Sequence, residues 1–157
     1  MKQNSTKSLK RLTGVILVFG LISLILLTLQ TLGLFFNIPQ TAKAVWIDGV
    51  KGLQLGLVIF RYIGGVALFA FIFIFMIDSL KAMNSGVLFL RKNVCTLFCS
   101  AAAAFVFFFC HTNFPLIMGV RIFQIGLEEI IVPTIICTFA ILYRKAVQIS
   151  EENSLTI

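Results

Sequence analysis

The side chains of this sequence that could support redox or metal chemistry are four cysteines and one histidine. Cys95 and Cys99 are four residues apart, so they do not form the C-x-x-C pair that a membrane thiol oxidase uses. Cys110 and His111 are adjacent, and adjacent side chains on a helix point about 100° apart, which does not suit shared ligation of a metal. We therefore expect no cofactor, no metal site and no catalytic site, and we expect the cysteines to be small packing residues.

Three charged residues in apolar stretches form a second candidate site: Arg61, Glu128 and Glu129. At about 1.5 Å per residue, Arg61 and Glu128 both fall about 22–24 Å from the inner ends of their predicted helices. An unpaired charge is costly at that depth, so we predict an intramembrane ion pair between Arg61 and Glu128 or Glu129. The alternative is that each side chain extends separately to the membrane interface.

These residues lie in a chain whose composition is that of a membrane protein. It is 59% hydrophobic and 12% charged, with a mean hydropathy of +1.04. Soluble domains are about 45–50% apolar and about 25% charged. The net charge of +7 comes from Lys and Arg at the ends of apolar segments, which is typical of cytoplasmic loops rather than of a nucleic-acid-binding surface. Lipid is therefore the expected partner, and direct nucleic acid binding is not expected.

The order of apolar and charged segments predicts one all-α membrane domain over residues 1–157, an integral four-helix transmembrane bundle. A span needs about 20 apolar residues to cross a hydrocarbon core about 30 Å thick. Four segments satisfy this requirement: residues 12–36, 58–77, 94–114 and 122–143. Residues 37–57 are then predicted to be an external loop, 78–93 a cytoplasmic loop, and 144–157 a cytoplasmic tail.

The first apolar segment has two interpretations. Ala42, Lys43 and Ala44 form an A-x-A pattern, so a signal peptide cleaved there would leave three helices. The apolar part of a signal peptide is about 7–15 residues long, and this segment is longer. We therefore favour an uncleaved first helix.

The distribution of Lys and Arg predicts the orientation of the bundle. Nine of the 13 basic residues lie in the N-terminal segment, in residues 78–93 or directly after the fourth span, and four lie on the other side. Because cytoplasmic loops collect Lys and Arg during insertion, we expect both termini in the cytoplasm.

Two short motifs lie in these predicted cytoplasmic parts. Gly86, Phe89 and Asn93 form a G-x-x-F-x-x-x-N stretch in the loop. The tail closes with Glu151, Glu152, Asn153, Ser154, Leu155, Thr156 and Ile157. With four spans of this layout, the chain resembles the bacterial membrane family catalogued as domain of unknown function 2975. The resemblance implies an uncharacterised membrane protein that partners a small helix-turn-helix regulator.

The loop motif also has a structural interpretation. Gly86 could turn the chain, Phe89 could dock on the bundle, and Asn93 could cap the third helix. The leading hypothesis for function is a non-enzymatic membrane protein whose loop and tail engage each other or a cytoplasmic regulatory protein. The alternative is a small transporter or channel component in which Arg61 and Glu128 line a polar path.

Overall fold

The described part of the chain folds into four long helices and one short 3₁₀ turn. The structure is a computed structural model, and it describes residues 2–36, 44–85, 89–120 and 122–155. The helices are α1 (Lys2–Phe36), α2 (Lys51–Asn84), α3 (Arg91–Thr112) and α4 (Glu128–Leu155), and the 3₁₀ turn is Phe114–Met118. No strand occurs among these residues, so the all-α prediction is confirmed.

Each of the four helices contains a segment long and apolar enough to cross a membrane. Many large apolar side chains on their surfaces are also exposed to the surroundings of the bundle; on α1 alone, Phe19 is 67% exposed and Phe36 is 74% exposed. Such surfaces are unfavourable in water and favourable in lipid. The chain is therefore a multi-pass membrane protein by the length and composition of its helices.

Neighbouring helices run antiparallel. Gln30 near the end of α1 contacts Arg61 in the first half of α2, whereas Asn93 at the start of α3 contacts Ser79 near the end of α2. Asn93 also contacts Tyr143 in the second half of α4. One end of the bundle therefore holds the α2–α3 loop and the last turns of α4. We call it the tail end, and we call the end with the 3₁₀ turn the turn end.

Two glycines allow α2 and α3 to approach closely. A Cβ on Gly64 would lie 3.0 Å from the backbone nitrogen of Phe107, and a Cβ on Gly65 would meet the Phe107 ring. Small residues on α3 (Ser100, Ala101, Ala103 and Ala104) are likewise buried. Because hydrocarbon gives little drive for helix association, close backbone approach and dispersion contacts hold such bundles together.

The third helix lies between α2 and α4, while α1 packs on α2 alone among the described elements.

Several helix boundaries differ from the predicted spans; at the tail end, α2 continues past residue 77 to Asn84 and α4 continues past residue 143 to Leu155. The second helix begins at Lys51 rather than near residue 58, so residues 51–57 are helical and not part of an external loop. Their polar residue Gln54 is buried and hydrogen-bonded to the protein, which removes the need to place this stretch in water. The fourth helix begins at Glu128, later than the predicted start near residue 122.

Candidate functional site

A buried polar network at the tail end includes the side-chain amide of Asn93. Asn93 has no exposed surface, and its Nδ2 donates to Ser79 Oγ at 3.2 Å and to the Tyr143 hydroxyl at 3.3 Å. These contacts join α2, α3 and α4 at one point. Buried amide donors need acceptors, so the two Nδ2 hydrogen bonds favour a single arrangement of the three helices, while Asn93 Oδ1 is buried without a partner.

The end of the α2–α3 loop is attached to the same hydroxyl. The backbone N–H of Leu90 donates to the Tyr143 hydroxyl at 3.1 Å, and the Phe89 ring meets the Tyr143 ring edge to face with centroids 5.4 Å apart. The expectation that Phe89 docks on the bundle is therefore confirmed. The expectation that Asn93 caps α3 is wrong, because the N-cap is Leu90 and Asn93 turns its side chain into the bundle. Gly86 lies outside the described residues.

An ion pair borders this network. Lys92 Nζ lies 2.9 Å from Asp78 Oδ1, with the Asp78 side chain only 13% exposed and the Lys92 side chain 63% exposed. It links the end of α2 to the start of α3 beside the loop. Because the Lys92 end is in solvent, such a pair contributes about 1 kcal/mol or less.

The predicted tail is a continuation of α4 rather than a separate segment. Ala140, Tyr143 and Val147 are buried on one face, and Val147 packs in a core that also contains Leu97. Further along, Glu151, Glu152 and Asn153 are exposed and helical, Leu155 ends the helix, and Thr156 and Ile157 lie outside the described residues. The first turns of the tail are thus anchored to the bundle.

Replacing Tyr143 with Phe is expected to destabilise the protein by about 1–3 kcal/mol, because the Leu90 N–H and the Asn93 amide both lose an acceptor in a buried site. Tyr62→Phe is the matched control, since the Tyr62 hydroxyl lies 3.5 Å from Thr28 at the limit of hydrogen bonding and is expected to contribute little. The measurement is the thermal unfolding midpoint of both variants in detergent. Equal midpoints for the two variants would contradict the network's role.

A scan against protein-family models, a search of curated proteins and a search of solved structures each find no match to this chain. The resemblance of the Gly86 to Asn93 stretch and of the tail to a bacterial membrane family therefore stays a prediction. The function has to be inferred from the contacts of the described residues.

At the turn end, Arg61 is 5% exposed and has partners other than the two glutamates. Its guanidinium donates to Gln30 Oε1 at 3.0 Å and lies over the ring of Phe114, 4.4 Å from the centroid. Its Nε has no hydrogen-bond partner. A hydrogen bond and a cation–π contact are the means by which the structure accommodates this buried charge.

The two glutamates form the first turn of α4 rather than lying deep within a helix. Glu129 is 1% exposed; its Oε2 accepts a hydrogen bond from the Gly126 backbone at 2.9 Å, and its Oε1 has no partner. Glu128 is exposed. A carboxylate at a helix N-terminus is stabilised by the helix dipole, which explains the placement of both residues. The structure does not bring either glutamate into an ion pair with Arg61.

His111 and Cys110, the adjacent candidates for metal chemistry, both lie near the turn end of α3. His111 lies within electrostatic range of both Arg61 and Glu128, at the exposed end of α3. Cys110 is buried in the core at the turn end, as expected for a packing residue. Within the described residues, no group of three or more His, Cys, Asp or Glu side chains is placed to hold a metal ion.

Two buried amides at the turn end were not anticipated from the sequence. Gln54 Nε2 donates to the backbone oxygens of Val45 and Leu116, and Asn113 exchanges two 2.9 Å hydrogen bonds with the backbone of Gln124. The Asn113 bonds hold the segment before α4 out of helical conformation, which delays the start of that helix. The sequence feature that could have predicted these bonds is an isolated amide residue in an otherwise apolar stretch, because such an amide must find a hydrogen-bond partner when it is buried.

Proposed function

We propose that this chain is a non-enzymatic protein of the bacterial inner membrane whose tail end lies in the cytoplasm and binds a small helix-turn-helix regulatory protein. The bias of nine basic residues to four supports the orientation. The binding surface consists of the α2–α3 loop, within residues 78–93, and the last turns of α4.

The length and attachment of α4 carry this proposal. The helix has 28 residues and is therefore about 42 Å long, about 12 Å more than a hydrocarbon core of about 30 Å. Tyr143 fixes the point where α4 passes the α2–α3 loop. A rigid helical extension held beside a loop offers a partner a preformed surface, which lowers the entropic cost of binding.

The face of the extension that points away from the bundle has mixed chemistry. Lys145, Ile149 and Glu152 follow the i, i+4, i+7 spacing of one helix face, and Ile149 is 59% exposed. An apolar residue flanked by charges is typical of helix recognition by a partner. After Lys145 the tail contains two acidic residues and no basic one, which suits a basic partner.

Deletion of residues 149–157 is expected to abolish capture of the regulator, because it removes Ile149 and both acidic residues while leaving the Tyr143 network intact. The measurement is binding of a purified candidate helix-turn-helix regulator to the purified membrane protein. Ile149→Ser is expected to weaken binding about tenfold or more. Ser150→Ala, an exposed neighbour on another helix face, is the matched control. Undiminished binding by the deletion variant would refute the proposed surface.

A second candidate function is a small transporter or channel component. The observation that favours it is the pair of buried atoms without hydrogen-bond partners at the turn end, Arg61 Nε and Glu129 Oε1. Ionisable groups in such positions commonly mark ion or substrate pathways. Ion flux through liposomes that contain the deletion variant would favour this function over the first, because flux needs the bundle and not the tail.

A further inference from the structure

We propose that a cleft between α3 and α4 at the tail end binds the phosphate group of a membrane phospholipid. The cleft has a volume of about 440 Å³. It is lined by Arg91, Val94, Cys95, Phe98, Arg144, Val147, Gln148 and Glu151. The inference does not rest on the proposed regulator, because the test below uses the membrane protein and lipid alone.

Two arginines from different helices line the cleft. Arg91 is the first residue of α3, Arg144 lies in the second half of α4, and both are exposed. Arginine donates paired hydrogen bonds that match the oxygens of a phosphate. Glu151 is the one acidic lining residue, so two positive charges face one negative charge and the cleft favours an anion.

The start of α3 adds further donors. Its N-cap is Leu90, which has no side-chain oxygen, and the helix has no side-chain cap hydrogen bond. The Asn93 N–H donates to the Leu90 backbone oxygen at 3.0 Å. The N–H groups of Arg91 and Lys92 precede it in the first turn, where donors lack partners within the helix and the helix dipole attracts negative charge. The N-terminus of α3 and the two arginines therefore both favour an anionic ligand.

The apolar lining distinguishes a lipid from a free anion. Val94 and Phe98 follow Arg91 along α3 at helical spacing, Val147 is buried opposite them, and Phe98 is 39% exposed. A soluble phosphate would gain nothing from this surface, whereas an acyl chain attached to a phosphate would cover it. The cleft also lies where the predicted third span begins and the fourth ends, which is the level of lipid headgroups.

The test uses the full-length protein in detergent, titrated with short-chain phosphatidylglycerol. We expect the lipid to raise the thermal unfolding midpoint, and we expect R91Q/R144Q to weaken apparent binding about tenfold or more. K81Q/K145Q is the matched control, because it removes two exposed basic residues near the same end that do not line the cleft. Equal weakening by both double variants would overturn the proposal, since it would indicate non-specific attraction.

Two further ligands separate the possible sources of binding. If inorganic phosphate raises the unfolding midpoint as much as the phospholipid does, the cleft takes a soluble anion. If a short-chain diacylglycerol, which lacks the phosphate, raises the midpoint as much, the arginines are not needed for binding. Either result overturns the lipid assignment. Labelling of Cys95 by a maleimide, located by peptide mass spectrometry, provides a second readout because this exposed thiol lines the cleft. Phospholipid should slow labelling of Cys95 and leave Cys137 on α4 unaffected.

Discussion

Gly64→Leu is expected to prevent α2 and α3 from packing, whereas Gly52→Leu on the same helix is expected to leave the bundle folded. Even a Cβ at Gly64 would lie 3.0 Å from the backbone nitrogen of Phe107 and 3.2 Å from its Cα. Backbone atoms cannot rotate away as a side chain can, so the helices must separate along their most extensive interface. A Cβ on Gly52 would meet nothing within 4 Å.

The expected destabilisation by Gly64→Leu is about 3 kcal/mol or more, the upper part of the range for overpacked cores. The measurement is the yield of monodisperse protein in detergent, followed by the thermal unfolding midpoint of whatever folds. Gly52→Leu controls for the change in helix propensity, since both variants exchange Gly for Leu inside α2. A Gly64→Leu protein as stable as the control would show that α2 and α3 do not approach as closely as described.

Arg61→Glu is expected to have the second-largest effect, a destabilisation of about 3 kcal/mol. The new carboxylate would lose the hydrogen bond to Gln30 and would face the electron-rich ring of Phe114 in place of a cation. It would also place a buried negative charge in a site that now holds a positive one. Lys51→Glu is the control, since it reverses an exposed charge on the same helix.

Second-site changes identify the partner of position 61. Gln30→Lys is expected to rescue Arg61→Glu by supplying a cation where Gln30 now accepts a hydrogen bond. Glu129→Arg is expected not to rescue it, because Glu129 is bound to the backbone of Gly126. The measurement is the unfolding midpoint of each double variant. Rescue by Glu128→Arg or Glu129→Arg would instead support the ion pair that the sequence suggested.

The sequence predicted the main elements of the fold because apolar length is a local property. Four long apolar stretches with Lys and Arg clustered near their ends predicted four helices, and these helices are present. The docking of Phe89 was also predicted, since an aromatic residue in a short polar loop has few other places to bury its ring. The start of α4 was placed too early because residues 122–127 are apolar enough for a span, and the bond to Asn113 that holds them non-helical joins different segments.

The sequence by itself determined that lipid is the expected environment, which segments are helical and where the charges fall along the chain. These properties depend on composition and on neighbours along the sequence. The tertiary structure decided which group each polar side chain meets. Arg61 finds Gln30 and Phe114 rather than a glutamate, and Asn93 joins Ser79 and Tyr143 rather than capping α3. The physical reason is that a hydrogen bond requires its two atoms within about 3 Å, a condition set by the packing of helices distant in sequence.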